Sequence, residues 1–141
     1  MMKTIAILAS GTGGHIYPAL SIAQEYIKLG YKILWIGTDN GLENKIIDNP
    51  DIVIEKISSR GVRGKSTIKK LISLIYIIKS TYQSLVIFKK YKPSMVFGFG
   101  GYVSVSSSLS AYLLSIPVIL HEQNAIAGTA NRINYYFAKR V

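Results

Sequence analysis

The sequence has no cysteine, one tryptophan, four prolines and only seven acidic residues in 141. Without cysteine there is no disulfide framework, no thiolate metal site and no cysteine nucleophile, so knottin and zinc-ribbon architectures are excluded. Collagen goes with them, because no glycine period runs through the chain. A reducing compartment is compatible with the missing thiols. Hydrophobic residues make up 49% of the chain, too many for intrinsic disorder. A chain of this length buries roughly two-thirds of its unfolded surface, enough for one core and too little for two ordinary domains. Residues 1–141 are therefore read as one domain.

The shortage of acid sets the charge. Seventeen Lys and Arg against seven Asp and Glu give a net charge of +10, which suits anionic partners: nucleic acid, anionic lipid headgroups or a diphosphate. Ten of the positive residues lie between Lys56 and Lys92 with no acid among them, and elsewhere seven charges of each sign cancel. No base-reading motif and no aromatic–basic interleaving accompanies them, so nucleic acid is the weakest of the three readings.

Long hydrophobic runs are also scarce. Residues 1–10 imitate a signal peptide, but the run Ile5 to Ala9 is short for one and a glycine turn follows at once; a buried strand is expected. Residues 93–120 carry no charge, which raises a membrane span. Gly98, Gly100, Gly101, five serines and Pro117 argue instead for strand, glycine turn, buried helix and strand.

Short Ile- and Val-rich runs at 4–9, 32–36, 52–57, 95–99 and 118–120 lack polar alternation, as strands covered on both faces should. Helix-length segments at 17–29, 42–49, 68–91, 103–115 and about 127–139 lie between and after them. Gly30, Pro50, Pro93 and Pro117 punctuate the pattern. Five β-α units predict an α/β fold, a doubly wound parallel sheet of Rossmann-like type, with the chain ending on a helix.

Four features carry candidate chemistry. The first is Ser10-Gly11-Thr12-Gly13-Gly14-His15 between the first strand and first helix, where backbone N–H groups and a helix dipole suit a diphosphate. Ile16 replaces the third glycine of the dinucleotide fingerprint, and no Gly-Lys-Ser/Thr follows, so nicotinamide and Walker-type readings weaken. Pro18 is placed in the first helical turn and His15 in the loop before it. There His15 can act as a general base, or can merely cap the helix or donate to a phosphate.

The second is Gly98-Phe99-Gly100-Gly101-Tyr102, another strand-to-helix turn. One glycine would satisfy a tight corner, and three suggest close approach by something. Tyr102 offers a ligand a hydrogen bond or a stacking face, with ordinary packing as the alternative. The third is His121-Glu122-Gln123-Asn124, at a strand end that opens on the ligand crevice. Glu122 can accept from sugar hydroxyls and Asn124 can both accept and donate, or Asn124 caps the last helix. The fourth is the segment 68–92. Leu71, Ile75, Ile78 and Tyr82 form one helical stripe beside Lys69, Lys70, Lys79, Lys89, Lys90 and Lys92. Either that stripe packs on the sheet, or the surplus apolar surface of Ile72, Leu74, Ile77, Leu85 and Val86 leaves a face for an anionic membrane.

Gly-Thr-Gly-Gly-His at 11–15 followed by Pro18, Arg63-Gly64-Lys65, Gly-Gly-Tyr-Val at 100–103, Ile-Pro-Val at 116–118, His-Glu-Gln-Asn at 121–124 and Ala127-Gly128 stand in this order along the chain. From Lys3 to Val141 the set resembles the MurG family of glycosyltransferase family 28, the undecaprenyldiphospho-muramoylpentapeptide N-acetylglucosaminyltransferases of peptidoglycan synthesis. The resemblance implies the amino-terminal, acceptor-binding lobe of a GT-B fold. It further implies inverting transfer of GlcNAc from UDP-GlcNAc to the muramoyl C4 hydroxyl of lipid I, without cofactor or metal, on the cytoplasmic face of the bacterial plasma membrane. By position it makes His15 a general base and Glu122 a residue on which activity depends. Thr12, Gly13, Gly14 and Asn124 match contacts to the sugar nucleotide, and Gly100, Gly101 and Tyr102 belong to a turn assigned to the acceptor diphosphate. Leu71, Ile75, Ile78 and Tyr112, with Lys69 and Lys70, match the membrane-facing patch. The family's second lobe, with the uracil and most of the GlcNAc pocket, has no counterpart in these residues. The chain thus reads as an acceptor lobe that needs a carboxy-terminal lobe in cis or trans, or else as a non-catalytic membrane-peripheral subunit of a split enzyme.

Overall fold

Apolar residues and glycine fill the central strands after their first positions, Thr4 and Lys32, because helices cover both faces of the sheet. The computed structural model describes residues 2–60 and 66–141, so the Arg63-Gly64-Lys65 motif lies outside the described residues. Five parallel strands form one sheet: β1 (Thr4–Ala9), β2 (Lys32–Gly37), β3 (Ile52–Lys56), β4 (Met95–Gly100) and β5 (Val118–Leu120), in the order β3-β2-β1-β4-β5. Odd residues of β1 (Ile5, Ile7, Ala9) pack with Trp35 and Phe99 against Ile16, Ala19 and Ala23 of α1 (Gly13–Lys28). Even residues (Ala6, Leu8) pack with Ile36 and Val96 against Phe88 of α3 (Thr67–Tyr91) and Val103 and Ala111 of α4 (Tyr102–Leu113). The expected doubly wound α/β fold is present. The chain order reverses between β1 and β4, and ligands of such sheets bind beyond the carboxyl ends of the strands at that switch point.

The uncharged stretch 93–120 forms β4, the glycine turn, α4 and β5. Its serines build the contact between α3 and α4. Ser84 and Ser107 share a hydrogen bond of 2.9 Å, Ser110 Oγ donates to the Thr81 carbonyl at 2.8 Å, and Asn134 Nδ2 donates to Ser104 Oγ at 2.7 Å. Small side chains let the helices approach closely while the Ser84, Ser107 and Ser110 hydroxyls remain bonded; Thr81 Oγ1 and Ser108 Oγ have no protein partner.

This contact decides between the two readings of α3. The buried side is Ser80, Thr81, Ser84, Ile87 and Phe88, whereas Leu71, Ile75, Ile78 and Tyr82 are all exposed, so the predicted stripe does not pack on the sheet. Ile72, Leu74 and Val86 are exposed with it. By length and composition α3 is long and apolar enough to cross a membrane, yet its second half is packed on α4. Ser66 caps its start by accepting from the Lys69 amide, and Lys92 ends it in the left-handed region (φ 49°) directly before Pro93.

Three helix boundaries differ from expectation. The Thr12 carbonyl accepts from the amides of His15 (3.0 Å) and Ile16 (3.3 Å), so α1 begins at Gly13, His15 lies in its first turn and Pro18 inside it. The segment expected at 42–49 is one turn, α2 (Glu43–Ile46), because Asn49 Oδ1 accepts from the Asp51 amide and turns the chain before β3. The last helix, α5 (Thr129–Asn134), is shorter than 127–139. Lys139 and Arg140 leave it and pair beside β5, the Lys139 amide donating to the Val118 carbonyl and the Leu120 amide to the Arg140 carbonyl, so the chain does not end on a helix.

Candidate functional site

The turns after β1 and β4 sit side by side at the switch point because their strands are neighbours. The pairing skips one residue there: Leu8 aligns with Gly98 and Ala9 with Gly100, leaving Phe99 as a bulge. Gly100 (φ 108°) and Gly101 (φ 82°) both adopt the left-handed region. A Cβ at Gly100 would stand 2.9 Å from Cε1 of His15, and one at Gly101 would stand 2.8 Å from the Ser10 carbonyl oxygen. The close approach that three glycines suggested is thus met inside the molecule. Gly100 and Gly101 admit the histidine and the first glycine turn, and Gly98 admits the Leu120 side chain.

Both helices that start here are without side-chain caps. Thr12 precedes α1 and Gly101 precedes α4, and neither supplies a capping hydrogen bond. The first N–H groups of two helices of 16 and 12 residues therefore point into one crevice with their positive dipole ends, a setting that favours an anion. Thr12 and Gly14 are exposed there and Gly13 is half-buried. A cavity of about 460 Å³ opens beside the crevice, lined by Ser10, Gly11, Thr38, Lys45, Ser59 and Tyr102. Tyr102 is exposed at its edge.

His15 is half-buried, its ring held between Gly100 and Gln123. Gln123 Nε2 lies 2.8 Å from His15 Nδ1. With the amide nitrogen donating, Nδ1 is the acceptor and the ring proton sits on Nε2. Turning the amide over lets Oε1 accept from Nδ1–H and frees Nε2 to take a proton. Gln123 is thus a positioning residue for His15, a role the sequence pattern alone did not single out.

Glu122 organises the loop beside them. One carboxylate oxygen accepts from the Asn124 amide (2.9 Å) and Asn124 Nδ2 (2.9 Å), and the other from the Gly128 amide (3.2 Å) and Asn131 Nδ2 (3.0 Å). Burial opposes its charge, but the hydrogen bonds from Asn124, Asn131 and Gly128 outweigh that and hold the carboxyl below the ordinary value. Glu122 is therefore an ionised clamp with its acceptors in use. Asn124 is bound to it and caps no helix; Gly128 precedes α5 instead. His121 stacks on Phe99 with ring centroids 5.2 Å apart.

Glu43 was not legible as part of this region. It is fully buried; Oε1 accepts from the Thr38 amide at 2.8 Å, and Oε2 has no protein partner. A Cβ at Gly37 or Gly41 would collide with its carboxyl group, so the two glycines make room for the acid that ties the 38–43 loop to the cavity wall. Gly37, Gly41 and Glu43 together were the available signal. Among the described residues no three His, Asp or Glu side chains converge as a metal site.

The membrane-patch residues form a separate region. Leu71, Ile75 and Ile78 share the outer face of α3, with Lys69 and Lys70 exposed near its start. The Ser84–Ser107 and Thr81–Ser110 contacts run α4 antiparallel to α3, which brings exposed Tyr112 level with the 78–80 turn.

Curated relatives match the sequence, and solved structures match the fold. The chain is 43% identical over 141 residues to a UDP-N-acetylglucosamine–N-acetylmuramyl-(pentapeptide) pyrophosphoryl-undecaprenol N-acetylglucosamine transferase of Pseudomonas fluorescens, covering 100% of this chain and 40% of that protein. It is 46% identical to the protein of the same name from Blochmanniella floridana, covering 99% and 39%. The crystal structure of MurG from Acinetobacter baumannii superposes with a TM-score of 0.85 at 41% identity, over 97% of this chain and 40% of that one. The Streptomyces glycosyltransferase SsfS6 shares the fold, with a TM-score of 0.65 at 15% identity. The chain thus spans about 40% of the length of the relatives it matches. Residues 5–141 match the glycosyltransferase family 28 N-terminal domain, and the chain belongs to that family.

Proposed function

We propose that residues 1–141 are the acceptor- and membrane-binding lobe of an inverting transferase that moves GlcNAc from UDP-GlcNAc to the muramoyl C4 hydroxyl of lipid I, giving lipid II. The observation that carries this reading is the meeting of two uncapped helix N-termini with His15 at one switch point. His15 takes the proton of the acceptor hydroxyl as its oxygen bonds to C1 of GlcNAc, and UDP leaves with the electron pair of the broken bond. Gln123 sets the ring tautomer that leaves one nitrogen free. Gly100, Gly101 and Tyr102 hold the acceptor's diphosphate near the start of α4. Thr12, Gly13, Gly14 and Asn124 approach the sugar nucleotide, whose uracil pocket belongs to a second, carboxy-terminal lobe in cis or trans. Glu122 acts by shaping the Asn124 loop, and no cofactor is called for.

The outer face of α3 seats the lobe on the anionic cytoplasmic face of the plasma membrane. Leu71, Ile75, Ile78 and Tyr112 enter the interface while Lys69 and Lys70 meet headgroups. Exposed apolar side chains next to exposed lysines are what such a surface requires, and this favours membrane over nucleic acid as the destination of the +10 charge.

The test joins this chain to the carboxy-terminal lobe of the Acinetobacter baumannii protein and follows radiolabelled GlcNAc onto lipid I. The expected result is lipid II formation that falls at least a hundredfold with His15→Ala. A folded chimera that binds lipid I and transfers nothing would leave the membrane-peripheral binding module as the surviving reading.

A further inference from the structure

A second cavity, of about 400 Å³, lies between α3, α4 and α5 on the side of Tyr102 away from the first. Its volume falls in the ~300–1,000 Å³ range of small-molecule sites. Tyr76 and Ile77 of α3, Val105 of α4 and Ala130 of α5 wall it with carbon, while Ser59 and Tyr102 line both this cavity and the one at the glycine turn. At its edge Arg60 stacks its guanidinium 5.0 Å from the centre of the Tyr76 ring. Among the described residues Arg60 has no acidic partner. One wall, Tyr76 and Ile77, belongs to the same turns of α3 that expose Ile75 and Ile78. An anion site, an unpaired guanidinium, a carbon-walled chamber and an apolar outer face thus follow one another without a break.

We propose that this chamber holds the first isoprenoid units of a polyprenyl diphosphate. The diphosphate lies at the glycine turn within reach of Arg60, and the rest of the chain runs out along α3. Only an amphiphile with a compact dianionic head and a branched hydrocarbon tail matches both cavities. A free nucleotide leaves the chamber empty, and a bare lipid tail leaves the glycine-turn anion site and the exposed Arg60 guanidinium at the chamber's edge without a partner. The inference rests on the acceptor-lobe reading and adds to it a recognition site for the lipid beyond the membrane patch. The lobe would then select prenyl from straight-chain lipids, since methyl branches fill a wide short chamber better than a linear chain.

The test is calorimetric titration of the 141-residue chain with farnesyl diphosphate, below its micellar concentration, and with inorganic diphosphate. Farnesyl diphosphate is expected to bind at least tenfold more tightly. Each methylene excluded from a hydrophobic site lowers affinity roughly fourfold. Ala130→Phe and Val105→Phe, which fill the chamber from two different helices, should therefore each weaken farnesyl diphosphate about tenfold or more and leave inorganic diphosphate unchanged. Leu29→Glu, exposed at the far end of α1, should change neither. Folded filling variants with unchanged farnesyl affinity, or an equal loss produced by Leu29→Glu, would overturn the chamber while inorganic diphosphate binding leaves the acceptor-site reading standing. Failure of both ligands to bind overturns the two together. In the unmodified chain, nuclear Overhauser contacts from farnesyl methyls to Ile77 and Ala130 are expected, and their absence under saturation contradicts the proposal without any variant.

Discussion

Replacing Glu122 by glutamine removes a charge and converts one of two acceptor oxygens into a donor. Each oxygen now receives two N–H donors, so whichever way the new amide turns, two donors face an NH₂ group and lose their partner. Hydrogen bonds to a charged group contribute ~1.5–3 kcal/mol each when buried, and water at this half-exposed loop offsets much of that, leaving about 2 kcal/mol for the pair. The loss is local to residues 121–128, because β5 and α5 keep their own contacts. Amide hydrogen exchange is the assay: Asn124 and Gly128 should exchange roughly thirtyfold faster in Glu122→Gln, since ~1.4 kcal/mol corresponds to tenfold. The pH dependence follows from the lowered pKa. Stabilisation is full above the ordinary carboxyl value of 4.5 and is lost as pH falls through the lower folded value, so protection should stay flat from neutrality to about 4.5 and decline below it. The glutamine variant should show no such decline. Exchange within threefold of the parent chain would refute the clamp.

Gly101→Ala places a Cβ 2.8 Å from the Ser10 carbonyl in left-handed backbone, so a cost of roughly 2–4 kcal/mol and a lower thermal midpoint are expected; an unchanged midpoint would contradict the packing of the two turns. Gln123→Glu puts a carboxylate on His15 Nδ1 and favours the imidazolium, so the ascending limb of the pH–rate profile of the assembled transferase should move to higher pH, a shift that a purely structural role would not produce. Leu71→Glu with Ile75→Glu removes two exposed apolar side chains from the outer face of α3; binding to anionic liposomes should fall more than tenfold with the thermal midpoint unchanged, whereas unaltered binding would remove α3 from the membrane contact.

The strands were legible because burial on both faces erases polar alternation, and 4–9 and 118–120 match the structure to the residue. The two glycine turns were legible as strand-to-helix corners, but not what they accommodate: His15 and Ser10 approach from a turn about 90 residues away. The α3 stripe left its facing open for a definite reason. The buried side of its second half begins with the small polar residues Ser80, Thr81 and Ser84, where Ser84 bonds Ser107 and the Thr81 carbonyl accepts from Ser110 of α4, so hydrophobic periodicity marks the solvent face. Pro18 misplaced the start of α1, since a proline inside a helix loses only one N–H, here the one that would reach back toward Gly14. Glu122 and Asn124 were legible as a polar cluster at a strand end, whereas their mutual hydrogen bonds, and the link from Gln123 to His15, depend on how the loop folds back.

The acceptor site at the β1–β4 switch point is tested most directly by amide chemical-shift mapping of this chain with a water-soluble lipid I analogue. Shifts concentrated at Gly11, Gly13, Gly101, Tyr102 and the His15 ring, and lost in Gly101→Ala, are the expected result. Shifts confined to the outer face of α3, or saturable binding that leaves both glycine turns unmoved, would contradict it.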